Sequence, residues 1–131
     1  MFVDTSAIVA ILLGENDARA LSAAVNSNSR RLTSAAVRLE SCMVLAGRRD
    51  VAPLRAQYYF DGLASQFELT EIPIDETIGR MAVACFERYG KGRHPAQLNF
   101  GDCLSYACAK AAGARLLFKG EDFAKTDVND S

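Results

Sequence analysis

The sequence predicts an α/β fold: a parallel sheet covered on both faces by helices. Three observations predict it. Short strand-like runs at Met1–Val3, Arg31–Thr33 and Arg115–Phe118 alternate with longer stretches of helical spacing, a pattern that pairs strands in parallel. Half of the 131 residues are apolar, which suits one compact domain over residues 1–131 and leaves little room for a second core. Finally, Gly, Asn and Ser punctuate the runs, with no linker, repeat or low-complexity tract.

In order, Met1–Val3 forms the first strand and Asp4 ends it. Thr5 or Ser6 is expected to cap an all-round apolar helix through Leu13, stopped by Gly14. A second helix, Asn16 to Val25, is amphipathic through Ala18, Leu21, Ala24 and Val25, and Asn26–Arg30 is a turn. After the strand Arg31–Thr33, Ser34 caps a helix from Ala35 to Gly47 in which Glu40 stands among Val37, Leu39, Cys42, Met43, Val44 and Leu45. Val51–Phe67 reads as a helix with Leu54, Tyr58, Leu63 and Phe67 at apolar positions and Pro53 in its first turn. Three adjacent aromatics, Tyr58, Tyr59 and Phe60, cannot all face one core, so some mark a contact surface.

A brief strand around Glu71 and Ile72 leads to a helix from Asp75 with Ile78, Met81, Ala82, Cys85, Phe86 and Tyr89 in register, closed by Gly90. The loop that follows carries Lys91, Arg93, His94 and Pro95. The helix Asp102–Ala112 ends at Gly113, Arg115–Phe118 is the last clear strand, and Glu121–Lys125 forms one more helical turn.

A net charge of −1 excludes a generally basic nucleic-acid coat. Four cysteines at 42, 85, 103 and 108 lack C-x-x-C spacing and lie in apolar patterns, the mark of small core residues in a reducing compartment. There is no basic leader, and Ala7–Leu13 falls far short of the ~20 apolar residues of a membrane span. A cytoplasmic protein without membrane contact is expected.

The chemistry lies in four acids. Asp4 follows the first strand, Glu40 sits two turns into a helix, Asp102 opens a helix, and Asp122 follows the last strand. Ligands of parallel sheets bind beyond the carboxyl ends of the strands, where these four can converge. Asp102 and Asp122 can each be plain helix caps instead, whereas an acid such as Glu40 among core residues is costly unless paired, neutralised or bound to a cation. Gathered carboxylates repel and call for a cation or protons. Oxygen donors without a His and Cys set select Mg²⁺ or Mn²⁺ over zinc. Such ions suit phosphoryl chemistry, because they activate water, neutralise phosphate and orient the leaving oxygen. No G-x-x-x-x-G-K-[ST] loop or G-x-S-x-G elbow competes, and the lone His94 stands in a basic loop.

Asp4-Thr5-Ser6, Glu40, the loop Tyr89-Gly90-Lys91-Gly92-Arg93-His94-Pro95, Asn99-Phe100-Gly101-Asp102-Cys103 and Phe118-Lys119-Gly120-Glu121-Asp122-Phe123 together resemble PIN-domain toxins of the VapC type over nearly the whole chain. The resemblance implies a three-layer α/β/α domain with a central parallel sheet. It implies a metal-dependent endoribonuclease of a type II toxin–antitoxin pair, with a cognate VapB-type antitoxin and a tendency to form homodimers. The choice of RNA rests on it. The family's acids map onto Asp4, Glu40 and Asp102 as metal ligands. The fourth acid departs from the pattern, since many relatives carry Asp where this chain has Gly120; Asp122 is the nearest substitute, favoured over Glu121 because Phe123 would anchor it. Thr5 or Ser6 is expected to steady Asp4 or substrate, Asn99 to act as a turn or supporting residue, and Lys91, Arg93 and Lys119 to touch phosphate. A catalytically silent binding module of the same fold, or a metal-dependent DNA nuclease or phosphatase, are the alternatives.

Overall fold

The computed structural model describes residues 1–130. Four two-residue strands, β1 (Phe2–Val3), β2 (Leu32–Thr33), β3 (Thr70–Glu71) and β4 (Leu116–Leu117), make one parallel sheet in the order β3-β2-β1-β4. Six helices join them: α1 (Thr5–Leu12), α2 (Ala18–Asn26), α3 (Ala35–Arg49), α4 (Pro53–Gln66), α5 (Glu76–Tyr89) and α6 (Phe100–Ala111). A 3₁₀ turn, Phe123–Lys125, follows β4.

From β1 through β2 to β3 the chain steps in one direction, then returns past both to β4 on the far side of β1. Right-handed crossovers put the helices of the first two steps on one face and those of the return on the other. The packing agrees: α3 lies on α1 and α4, and α1 on α2, whereas α5 lies on α6, which covers β1. This is the three-layer order expected from the sequence. Because the winding reverses at β1, the ligand crevice of such a sheet opens beyond the ends of β1 and β4.

Phe2 and Val3 are fully buried, as a strand covered on both faces must be, and they share the core with Ile8, Phe60 and Leu98. The Thr33 hydroxyl donates to Val3 O at 3.2 Å and satisfies a polar group that no water reaches. All four cysteines are free and buried. Among the described residues no helix is long and apolar enough to cross a membrane.

Several expectations are corrected. The cap of α1 is Asp4 itself, not Thr5 or Ser6; its carboxylate accepts the Ser6 N–H at 3.0 Å, and a negative charge suits the positive end of the helix. Helix α3 runs past Gly47 to Arg49, because Asp50 (φ 52°) takes the left-handed closing position. Helix α6 starts at Phe100 with Asn99 as cap, so Asp102 lies in its first turn and does not open it. Leu39, Met43, Leu54 and Tyr58 point to solvent, because the contacts of α3 with α1, α4 and α6, and of α4 with α1 and α3, leave these positions uncovered. Of the three adjacent aromatics, Phe60 is buried while Tyr58 and Tyr59 are exposed.

Candidate active site

Asp4, Glu40 and Asp102 come together on one cavity of about 310 Å³, at the crevice where the topology reverses. The backbone sets Asp4: its N–H donates to Leu117 O at 3.0 Å and extends the β1–β4 ladder by one residue. Its Oδ2 accepts the Ser6 N–H at 3.0 Å and the Ser6 hydroxyl at 2.7 Å. That hydroxyl in turn accepts the Lys119 N–H at 2.9 Å, so Ser6 ties Asp4 to the end of β4. The other oxygen, Oδ1, is buried without any hydrogen-bond partner. A buried carboxylate oxygen left bare is costly, and its position on the cavity points to a ligand that would satisfy it.

Asp102 is fixed by a reciprocal box. Its N–H donates to Asn99 Oδ1 at 2.9 Å, and its Oδ2 accepts the Asn99 N–H at 3.0 Å. Such a cap contributes about 1 kcal/mol and holds the carboxylate against rotation. Asn99 is therefore the cap of α6 and the orienting partner of Asp102 together.

Glu40 reaches the same cavity from the middle of α3, against the start of α6. Gly101 makes this approach possible. A Cβ built there would overlap the Glu40 carboxylate, lying 2.9 Å from its Cδ.

The three acids strain one another electrically. Burial above all pushes the Asp102 carboxyl up to about 6; the Asn99 N–H opposes it, and the charges of Asp4, Glu40 and Asp122 each add a smaller push upward. Burial likewise raises Glu40, with the charge of Asp4 adding to it. The nearby Thr5 hydroxyl offsets part of that rise as a dipole, although it makes no hydrogen bond of ordinary geometry.

This donor set fits a hard divalent cation in its chemistry: only oxygens, one of them bare and buried, two of the carboxyls resisting ionisation. As the side chains stand, no three His, Cys, Asp or Glu residues among those described close on one point. An ion here would take one or two carboxylates at a time and complete its shell with water, the habit of Mg²⁺.

The other expected residues are placed differently. Asp122 is exposed at the start of the 3₁₀ turn and does not line the cavity, though its charge reaches Asp102; Glu121 is exposed beside it. Gly120, with φ 105°, occupies a conformation that an Asp would adopt only under strain. Lys91 and Arg93 project from the loop outside the cavity, Arg93 with its guanidinium 5.7 Å from the Phe86 ring. Lys119 lines the cavity, but its Nζ is taken by Glu15 at 2.7 Å and Asp17 at 3.3 Å. His94 braces its own loop, where Nδ1 accepts the Ala96 N–H at 3.0 Å and the ring stands edge-on to Tyr89. Burial raises all four cysteine thiols, which removes them as nucleophiles. Gly101, Glu15 and Arg48 join the site without having been expected there. For Arg48 the spacing of Glu40, Val44 and Arg48 along α3 is the signal the sequence offers.

Comparison with known proteins agrees with this picture. The PIN domain model matches residues 1–129. Ribonuclease VapC28 of Mycobacterium tuberculosis is 48% identical over 130 residues, covering 98% of this chain and 95% of the relative. Ribonuclease VapC of Mycolicibacterium smegmatis is 43% identical over 128 residues, covering 98% and 97%. Among solved structures, Mycobacterium tuberculosis VapC20, described as a toxin that cleaves the sarcin-ricin loop, superposes with a TM-score of 0.72 at 20% identity over 94% of this chain and 92% of that one, a likeness of fold. The chain belongs to the PIN-domain family and, within it, to the VapC ribonucleases.

Proposed function

We propose that this chain is the RNA-cutting toxin of a type II toxin–antitoxin pair, hydrolysing RNA phosphodiester bonds with Mg²⁺ or Mn²⁺ held by Asp4, Glu40 and Asp102. The observation that carries the reading is the bare, buried Oδ1 of Asp4 on a cavity shared with two carboxyls whose ionisation is opposed. When bound, a divalent cation at this position supplies an activated water and offsets charge on the phosphate. The chain's own part is orientation. Ser6 occupies Oδ2 of Asp4 and Asn99 occupies Oδ2 of Asp102, which leaves the second oxygen of each carboxylate without a protein donor among the described residues. Thr5, buried beside Glu40, keeps an unspent hydroxyl facing the same charges.

Asp122 acts from outside the cavity through its charge, as an outer partner reached through water. Metal titration of RNA cleavage tests the whole assignment. Chelation should abolish cleavage and Mn²⁺ should restore it. Asp122→Asn should lower turnover about tenfold and raise the metal concentration needed, while Glu121→Gln changes little. Activity that persists in excess chelator would overturn the metal reading, and the reverse ranking of the two variants would reassign the fourth acid.

A VapB-type antitoxin silences the site by presenting a basic fork, because a cavity that attracts a cation also attracts an arginine. The thiols, all free and buried, suit a reducing cytoplasm. A second copy is the other partner. Apolar surface lies bare at Leu39, Met43, Leu54 and Tyr58 on α3 and α4, and again at Val83, Phe86 and Phe100 on α5 and α6. Light scattering at micromolar concentration should give twice the 14.2 kDa chain mass. A mass of one chain throughout would remove the homodimer.

A further inference from the structure

The cavity has a second end, and it is basic. Glu40, Val44 and Arg48 fall four residues apart on one face of α3, and all three line the cavity. Arg48 thus stands about 12 Å of helix rise from Glu40. Glu15, between α1 and α2, and Lys119, after β4, line the same cavity.

Glu15 serves two cations unequally. Its Oε2 is 2.7 Å from Lys119 Nζ, and Lys119 has Asp17 as a second carboxylate at 3.3 Å. Its Oε1 is 3.9 Å from Arg48 Nη1, and Arg48 has no other ion pair among the described residues, with 59% of its side chain exposed. An exposed pair at that separation contributes little, so Arg48 can leave it at almost no cost. Lys119 stays behind but is shared with Asp17, so it offsets only part of the Glu15 charge, and the remainder opposes an anion arriving at Arg48.

The anion must tolerate the acids at the other end. A nucleic-acid strand does, because its charges are spaced along a backbone and the cation compensates the one at the acids. We propose that Arg48, held in waiting by Glu15, is a subsite for an RNA backbone phosphate flanking the one that is cut. The proposal rests on the ribonuclease reading above. Arg48 is a binding residue in it, and Glu15 and Lys119 position it.

The test uses the whole chain and bulk bacterial tRNA and ribosomal RNA in Mn²⁺, followed by an oligonucleotide spanning the mapped cut. Arg48→Gln should raise KM about tenfold at low salt, keep kcat within about twofold, and flatten the log–log salt dependence by about 0.7, the value of one phosphate contact on a single strand. Glu15→Gln should lower KM, a direction that a merely structural pair would not produce. Arg80→Gln, at an exposed arginine on α5 paired among the described residues only with Glu76, should match wild type. A single neutral methylphosphonate linkage within two nucleotides of the cut should cost wild type about tenfold and cost Arg48→Gln nothing. If wild type cuts no RNA, the ribonuclease reading fails and the subsite with it. If wild type cuts RNA while Arg48→Gln keeps its KM, salt slope and methylphosphonate sensitivity, the subsite alone is overturned.

Discussion

Replacing Asp102 by Asn is expected to reduce RNA cleavage at least ~10³-fold while making the metal-free protein more stable at neutral pH. The amide keeps an oxygen for the Asn99 N–H but carries no charge toward a cation. The stability effect follows from the direction of the shift. Asp102 titrates near 6 in the folded chain against 3.8 as its ordinary value, first through burial and then through Asp4, Glu40 and Asp122. A carboxyl raised on folding contributes stability that is fully present below its unfolded value and lost as pH rises through its folded one. Metal-free wild type should therefore weaken between about pH 4 and pH 7, and the amide variant should escape that contribution. A gain of about 3–6 °C in Tm at pH 7.5, shrinking toward zero at pH 4, is expected from calorimetry in chelator. Wild-type cleavage by purified Asp102→Asn in Mn²⁺, or an equal Tm gain at both pH values, would remove Asp102 from the site.

Gly101→Ala should separate folding from activity in a different manner. The added methyl overlaps the Glu40 carboxylate, the far end of a flexible side chain, so Glu40 can swing aside. The exchange also suits a helical position, where Ala is favoured over Gly by up to about 1 kcal/mol. Stability is expected to hold within about 1 kcal/mol of wild type for these reasons. Activity is expected to fall about 10²-fold, the usual cost of displacing a reacting group by an ångström. Paired melting and cleavage assays check this. A variant that cuts RNA at the wild-type rate would show that Glu40 need not stand against Gly101.

Much of this arrangement is legible in the residues, for identifiable reasons. Alternating strand and helix patterns mark the sheet, and strand ends point to Asp4 and to the edge where Glu40 and Asp102 meet it. Burial is less legible. Leu39, Met43, Leu54 and Tyr58 have apolar side chains at helical spacing, yet hydrophobicity alone does not say whether a neighbour arrives to cover them. The start of α6 is hidden because its first residue, Phe100, is an exposed aromatic and its cap, Asn99, lies three places before the acid it holds. Gly101 gives no local sign of its role, since the side chain that excludes a methyl there belongs to α3, some sixty residues earlier. Lys119 was expected to touch phosphate; its commitment to Glu15 and Asp17 depends on how the segment after α1 folds back, which no local pattern records.

The tie from Ser6 to the Lys119 N–H spans 113 residues, and Asp4 hangs its own N–H on Leu117. A ribosome delivers Asp4 long before Leu117, so all three acids emerge before the strand that fastens the first of them. Closing so long a loop is slow and cannot begin until its far end is free. Through most of its synthesis the polypeptide therefore holds Asp4 with one edge of β1 open and the Ser6 hydroxyl short of a donor. In a chain built in this order the edge of the cavity that carries Asp4 and Ser6 is completed last, when residues 116–119 dock against it.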